Sequence, residues 1–133
     1  PLWVRGGEVR LGQVFVNLVN NAIDALSGQA DAWIEIDARR EGDRVVITVM
    51  DNGPGIEPEQ LPKVFEPFFT TKGVGDGIGI GLSIVDNIIR DFGGTIMVMN
   101  RAEGGACFTI NLLAADPDVL DAEPALRSEG AAV

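Results

Sequence analysis

Two segments of the chain repeat their hydrophobic residues at the spacing of an amphipathic helix. In residues 8–26 the apolar positions form a wide stripe along one helical face. Residues 81–92 carry a second stripe of the same kind, and Gly93 and Gly94 follow as a termination signal. A shorter helix is predicted for residues 58–64. Each long helix therefore has one face that it must bury against another layer of structure.

Four further segments show the alternation and β-branched content of strands. Residues 33–38 and 44–50 are separated by a Glu-Gly-Asp turn and predict one hairpin. Residues 95–100 and 106–113 are separated by a Glu-Gly-Gly turn and predict a second hairpin. A short strand is predicted at residues 2–5. Strands joined by such short turns pair in the antiparallel sense.

One-sided helices and hairpins together predict an α+β fold, a two-layer α/β sandwich whose mixed sheet carries both helices on one face. The chain has no alternating β-α-β-α run that would indicate a doubly wound sheet. We assign residues 1–115 to one domain and residues 116–133 to an acidic tail without regular structure. Residues 66–77 contain three glycines and little hydrophobic pattern, which predicts a mobile loop.

Composition excludes several kinds of function. The 133 residues carry a net charge of −10 and include no histidine, which rules out a Cys/His zinc site, a Ser–His hydrolase and a histidine base. An acidic surface argues against nucleic acid and anionic membrane as partners. A bound polyphosphate would have to be neutralised locally, by a metal ion, backbone N–H groups and a helix N-terminus. The chain also has no run of ~18 apolar residues that would cross a bilayer.

Amide side chains cluster on one face of the first helix. Asn17 and Asn21 are four residues apart, so they stack roughly 6 Å apart along the helix axis, and Gln13 extends the row. Amide oxygens are hard, neutral ligands that suit Mg²⁺. Asn is a poor helix former, which weakens the alternative that these are ordinary solvated positions. Asn20 is the expected bystander.

A carboxylate follows directly on the second strand, in the segment DNGPG at 51–55. Asp51 at the end of a buried strand is placed to accept a hydrogen bond from an exocyclic amine. Gly53 and Gly55 would let the backbone approach a planar base, and Ile56 would pack near its face. The alternative is a plain turn, because Asp, Asn, Gly and Pro are strong turn residues without any ligand.

The glycine-rich segment GIGIGL at 77–82 opens directly into the second helix. Successive N–H groups and a helix N-terminus form an anion site, and glycines avoid Cβ contacts with phosphate oxygens. The spacing G-x-G-x-G is not a Rossmann fingerprint, and the lysine of a P-loop is absent. The segment therefore predicts a phosphate-binding loop of another type.

In this order, the three segments resemble the ATP-binding catalytic domain of bacterial sensor histidine kinases. These domains belong to the wider GHKL or Bergerat group, which also holds gyrase, Hsp90 and MutL. Residues 11–25 match the N-box of the family nearly throughout, and residues 65–72 (FEPFFTTK) resemble its F-box. The resemblance covers roughly residues 5–113. Asp24 stands where many members have Lys or Arg, a variant similar to the nitrogen-regulation and C4-dicarboxylate sensor branch.

The resemblance implies a role for each segment. Asn21 would be the magnesium ligand, Asn17 would touch metal or phosphate, and Asp51 would accept from the adenine amino group. Lys72 would contact the γ-phosphate, although a solvated loop lysine is the alternative. The candidate catalytic residues are Asn17 and Lys72, and the candidate metal ligands are Asn21 and Asn17. The candidate nucleotide-binding residues are Asn17, Asn21, Asp24, Asp51, Gly53, Gly55, Ile56, Thr71, Lys72, Gly77, Gly79, Ile80, Gly81 and Leu82.

The function implied is transfer of the γ-phosphoryl group of Mg-ATP to a histidine on a separate dimerisation domain of the same full-length kinase, with a response regulator downstream. The resemblance also implies a cytoplasmic location within an inner-membrane sensor, the membrane being reached only through other parts of that protein. ATP-hydrolysing relatives have Glu at the position of Asn17, and an amide cannot serve as that base. An ATPase relative and a non-catalytic nucleotide-binding module remain the alternatives. The first residue, Pro1, suggests a piece of a longer chain.

Overall fold

A four-stranded sheet with both helices on one face forms the body of the molecule. The computed structural model describes residues 3–67, 81–115 and 130–132. The elements in chain order are β1 (Trp3–Arg5), α1 (Glu8–Ala25), β2 (Ile34–Glu41), β3 (Arg44–Asp51), a 3₁₀ turn (Leu61–Lys63), α2 (Gly81–Asp91), β4 (Thr95–Asn100), β5 (Ala106–Leu113) and β6 (Gly130–Ala132). The predicted α+β sandwich is confirmed.

The sheet has the strand order β2-β3-β5-β4, and every strand pair in the described part of the chain is antiparallel. The expectation of a mixed sheet was therefore wrong. β3 and β4 each pair antiparallel with β5, so they run in the same direction. Because β5 lies between them, no parallel pair forms. β1 and β6 make a separate antiparallel pair, which an isolated bridge between Val4 and Ala114 links to the end of β5.

The core lies between the helices and the covered face of the sheet. Alternation along β3 sends every second side chain into this layer, and Asp51 at its end follows the same direction as Val49. The buried face of β5 alternates in the same way. The core side chains of these elements are Leu11, Val14 and Leu18 of α1, Val85, Ile88 and Ile89 of α2, and Val45, Ile47, Val49, Phe108, Ile110 and Leu112 of β3 and β5.

Two predicted elements differ from the structure. The helix expected at residues 58–64 is only a short 3₁₀ turn, Leu61–Lys63. Pro62 has no N–H to donate to the carbonyl four residues earlier, so an α-helix cannot run through it. In the segment predicted to be an unstructured tail, Gly130–Ala132 pair with β1, whose short edge offers unpaired backbone groups. The other tail residues, and residues 68–77 of the predicted mobile loop, lie outside the described residues.

Phe65, the first residue of the F-box-like segment, is anchored to the core. Phe65 packs on the core and meets Phe108 edge to face, with ring centroids 6.2 Å apart. Among the helices of the described part, neither is both long enough and apolar enough to cross a membrane.

Candidate functional site

Helix α1, which carries the amide segment, contacts both of the other predicted segments. The side-chain amide of Asn17 donates a 3.4 Å hydrogen bond to the carbonyl oxygen of Gly81, the first residue of α2. At the other end of α1, Gly53 lies so close to Ala25 that an added Cβ would be 3.4 Å from its carbonyl oxygen. Eight residues separate Asn17 from Ala25, which is roughly 12 Å of helix axis. A ligand lying along this helix would therefore meet the carboxylate segment at one end and the glycine-rich segment at the other.

The amide residues of α1 fall into two groups by exposure. Asn17 and Asn21 are half-buried on the side of the helix that faces these segments, whereas Gln13 and Asn20 are exposed. The amide nitrogen of Asn17 donates to Gly81, and its side-chain oxygen, which is purely an acceptor, is the atom suited to a metal ion. Asp24 is exposed on the same helix and makes interactions of its own.

The carboxylate of Asp51 is buried, with 4% of its surface exposed. Its Oδ1 accepts hydrogen bonds from the backbone N–H of Gly53, at 2.9 Å, and of Ala106, at 3.4 Å. Both backbone donors bind the same oxygen, Oδ1. A buried acceptor of this kind discriminates strongly between ligands that can and cannot donate to it.

The predicted metal ligands fit magnesium by the chemistry of the donor set. In the described residues no cluster of three or more His, Cys, Asp or Glu side chains could hold a metal ion. Asn21 and Asn17 offer only neutral amide oxygens, and Mg²⁺ bound by few protein ligands takes the rest of its shell from phosphates and waters. These amides therefore suit a metal ion that arrives with a polyphosphate.

Helix α2 begins at Gly81, within the glycine-rich segment 77–82. Gly81 is half-buried, and a Cβ added to it would meet no atom within 4 Å. The first turn of α2 contains no acidic side chain, so nothing there offsets the positive end of the helix dipole. Leu82 follows in the same turn and packs against the core. The other predicted residues of this segment and of the preceding loop, namely Thr71, Lys72, Gly77, Gly79 and Ile80, lie outside the described residues.

The β4–β5 hairpin supplies contacts that the sequence did not predict. The side chain of Asn100 makes hydrogen bonds to both backbone groups of Ile56. Gly105 has φ +95°, and a Cβ on it would overlap the carbonyl oxygen of Asp51. Sequence reasoning treated Glu-Gly-Gly only as a turn. Both glycines have positive φ, +106° at Gly104 and +95° at Gly105, so their presence is explained by the turn alone and gave no signal of the contact with Asp51.

Hydrogen bonds of Asn52 hold the loop that precedes β2. The side chain of Asn52 accepts from the backbone N–H of Trp33 at 2.8 Å and donates to the carbonyl of Asp31 at 3.0 Å. The carbonyl of Asn52 accepts from the side chain of Gln29 at 2.7 Å. Asn52 is thus occupied by the protein itself, which explains structurally why an Asn follows Asp51.

The guanidinium of Arg101 lies close to the backbone of Asp51. The guanidinium of Arg101 stacks over the ring of Trp33, 4.7 Å from its centroid, and donates to the carbonyl of Gly104 at 2.7 Å. It also reaches the carbonyl of Asp51 at 3.5 Å. Its charge is shared with Glu103, whose carboxylate lies 3.5 Å away. Arg101 therefore links the backbone of the carboxylate segment to the β4–β5 turn.

Comparison with known proteins adds an independent finding. The family model described as histidine kinase-, DNA gyrase B-, and HSP90-like ATPase matches residues 6–116. The chain is 43% identical over 122 residues to the C4-dicarboxylate transport sensor protein DctB of Pseudomonas aeruginosa, an alignment that covers 90% of this chain and 20% of that protein. The chain spans about a fifth of the length of the curated relatives that it matches first.

Two solved structures have the same fold. The catalytic domain of the histidine kinase ThkA superposes with a TM-score of 0.72 at 39% identity, covering 83% of this chain and 70% of that one. Full-length ShkA in complex with AMPPNP superposes with a TM-score of 0.69 at 32% identity, covering 80% of this chain and 22% of that one. These matches agree with the resemblance drawn from the three segments.

Proposed function

Because this chain belongs to the family of histidine kinase-, DNA gyrase B- and HSP90-like ATPases, we propose that it binds Mg-ATP and donates the γ-phosphoryl group to a histidine of another domain. Its homologues are sensor histidine kinases, and it corresponds to their ATPase domain. The solved structure of ShkA with AMPPNP supports binding of an adenine nucleotide by this fold.

The observation that carries the proposal is the buried Asp51 at one end of α1 and the Asn17–Gly81 contact further along it. In the proposed complex, Oδ2 of Asp51 accepts a hydrogen bond from the adenine amino group. The oxygens of Asn17 and Asn21 hold the metal ion beside the phosphates. The positive end of the α2 dipole stabilises phosphate charge.

The chain's own residues would position the reactants and contribute no base. Magnesium, when bound, neutralises charge on the phosphates. Asn17 cannot take a proton from an attacking water, because an amide is not a base at neutral pH. A neutral imidazole nitrogen needs no such base to attack the γ-phosphorus. These residues therefore favour transfer to histidine over hydrolysis, with rate enhancement from alignment and charge neutralisation.

The acceptor histidine must come from elsewhere, because none occurs in the 133 residues. The proposed partner is the phosphoacceptor dimerisation domain of the same full-length kinase, with a response regulator receiving the group afterwards. The relatives that the chain matches are named as sensor proteins. We propose for this chain the same setting, on the cytoplasmic side of an inner-membrane sensor.

A titration and a transfer assay test the proposal together. The chain should bind ATP more tightly with Mg²⁺ than without it. Asp51→Ala should abolish detectable binding, and Asn21→Ala should remove the magnesium dependence. Asn20→Ala, an exposed neighbour on the same helix, serves as the control and should bind as the unaltered chain does. Unchanged affinity in both site variants would refute the assignment.

Transfer is measured by adding a separately produced dimerisation domain from a related sensor kinase, with ATP labelled at the γ-position. We expect label on the histidine of that domain and little or none on this chain. Label that stays in ATP throughout would favour the non-catalytic binding module. Steady release of inorganic phosphate by the chain alone would favour the ATPase relative.

A further inference from the structure

The side chain of Asn100 on β4 makes hydrogen bonds to the segment after Asp51 of the kind that a neighbouring strand would make. Oδ1 of Asn100 accepts the backbone N–H of Ile56 at 2.8 Å, and Nδ2 of Asn100 donates to the carbonyl of Ile56 at 2.7 Å. A carboxamide carries one donor group and one acceptor, as a peptide unit does. The two bonds therefore hold both backbone groups of one residue across 44 positions of sequence.

The local backbone is shaped to receive this side chain. Gly55 has φ +77°, and a Cβ on it would lie 2.8 Å from Oδ1 of Asn100. Glycine is the residue that permits both this conformation and this approach. At the other end of the segment, the N–H of Gly53 is bound to Oδ1 of Asp51 at 2.9 Å. Residues 53–56 are thus pinned at one end by the candidate recognition carboxylate and at the other by Asn100.

Asn100 lies on the covered face of the sheet, directly across from Ala106, whose N–H donates to Asp51. The hairpin that carries Asn100 therefore touches both the carboxylate and the residue expected to pack on the base. Its hydrogen bonds to Ile56 are exposed to solvent. When such bonds are lost, water replaces them at little cost to global stability. The two hydrogen bonds are consequently suited to fixing the position of Ile56 rather than to stabilising the fold.

We propose that Asn100 is a positioning residue that sets the distance between Ile56 and the carboxylate of Asp51, and through it the preference for adenine over other bases. This inference rests on the proposed nucleotide-binding function. Both a donor and an acceptor are required at this position. An aspartate would keep the acceptor for the N–H of Ile56 but would place a carboxylate oxygen against its carbonyl.

The test uses the full 133-residue chain with Asn100→Ala and Asn100→Asp. Affinities for ADP and GDP are measured by competition against a fluorescent ribose-labelled ADP, because these two ligands share their phosphates and differ in the base. We expect the ADP affinity to fall roughly tenfold in both variants, the loss of about one hydrogen bond of positioning, while the GDP affinity stays within about twofold. Asn87→Ala, an exposed asparagine of α2, is the matched control and should change neither affinity.

Two further measurements separate positioning from a structural role. The thermal midpoints of the variants should stay near that of the unaltered chain. Amide hydrogen exchange of Ile56 without nucleotide should be slow in the unaltered chain and at least about tenfold faster in Asn100→Ala, because its acceptor is gone. A side chain that merely stabilised the fold would instead lower the midpoint and weaken ADP and GDP equally.

The outcomes that overturn the inference differ from those that overturn the proposed function. Suppose that the unaltered chain binds ADP through Asp51 but the Asn100 variants bind ADP with unchanged affinity. This result would refute the role of Asn100 and leave the proposed function standing. Equal weakening of ADP and GDP would refute it as well. An unaltered chain that binds neither nucleotide would refute the proposed function and this inference with it.

Discussion

The amide of Asn17 and the carbonyl of Gly81 are joined by a hydrogen bond of 3.4 Å, although the two residues are 64 positions apart. The bond connects the middle of α1 to the first turn of α2. It places an amide oxygen beside the N-terminus of a helix, where a metal ion and a phosphate can be neighbours. Helix packing has therefore brought two weak sequence signals into contact.

Asn17→Ala should reduce the affinity for Mg-ATP roughly tenfold, since it removes both a candidate metal ligand and the contact that orients Gly81. Titration of the chain with ATP in the presence of Mg²⁺ measures the change. Asn20→Ala, three residues further along the same helix and exposed, should leave the affinity within about twofold. Equal effects of the two substitutions would show that the position of Asn17 has no special role.

Asp51→Asn should lower the affinity for adenine nucleotides by roughly 10- to 100-fold, the range for a hydrogen bond to a charged group. The substitution keeps the size of the side chain and an oxygen for the N–H of Gly53, so the fold should be retained. Competition between ADP and GDP measures the effect on base selectivity. Asp43→Asn, an exposed acid in the β2–β3 turn, is the control. Undiminished preference for ADP in Asp51→Asn would contradict adenine recognition by this carboxylate.

Gly105→Ala should destabilise the chain by about 3 kcal/mol or more, because the added Cβ would overlap the backbone of Asp51. Gly104→Ala is a close control. Gly104 also has a positive φ, of +106°, but a Cβ there would meet nothing within 4 Å. It should cost only the conformational strain, about 1–2 kcal/mol. Urea unfolding measures both variants. The prediction fails if the two free energies of unfolding fall by the same amount.

Ile110→Ala should reduce the free energy of unfolding by about 2–5 kcal/mol, the usual cost of a cavity at a fully buried aliphatic position. Ile110 is 0% exposed at the centre of the sheet. Ile36→Ala removes the same atoms from a side chain of β2 that is 50% exposed, and it should cost about 1 kcal/mol or less. Chemical unfolding of both variants compares them directly. A smaller loss at Ile110 than at Ile36 would place the core elsewhere.

How far the sequence predicts the candidate site depends on the sequence separation of the residues in each contact. Asp51 and its glycines are recognisable because a strand that ends in Asp-Asn-Gly-Pro-Gly is a local pattern. Asn17 and Asn21 stand out because residues four apart are neighbours on one face of a helix. Asn100 carries no comparable signal, since its role depends on the backbone of Ile56 in a different part of the chain. No local pattern marks an asparagine at the end of a strand as the partner of a distant loop.

The same division holds for the fold. Periodicity alone determined α1, α2 and the two hairpins, because the side chains of each element repeat with the geometry of its own backbone. Only the tertiary structure decided that β5 lies between β3 and β4, that every described pair is antiparallel, and that β6 joins β1. It also decided that Gly105 lies against Asp51. These features depend on which surfaces meet after folding, and that choice belongs to the packing of the whole core rather than to any short stretch of residues.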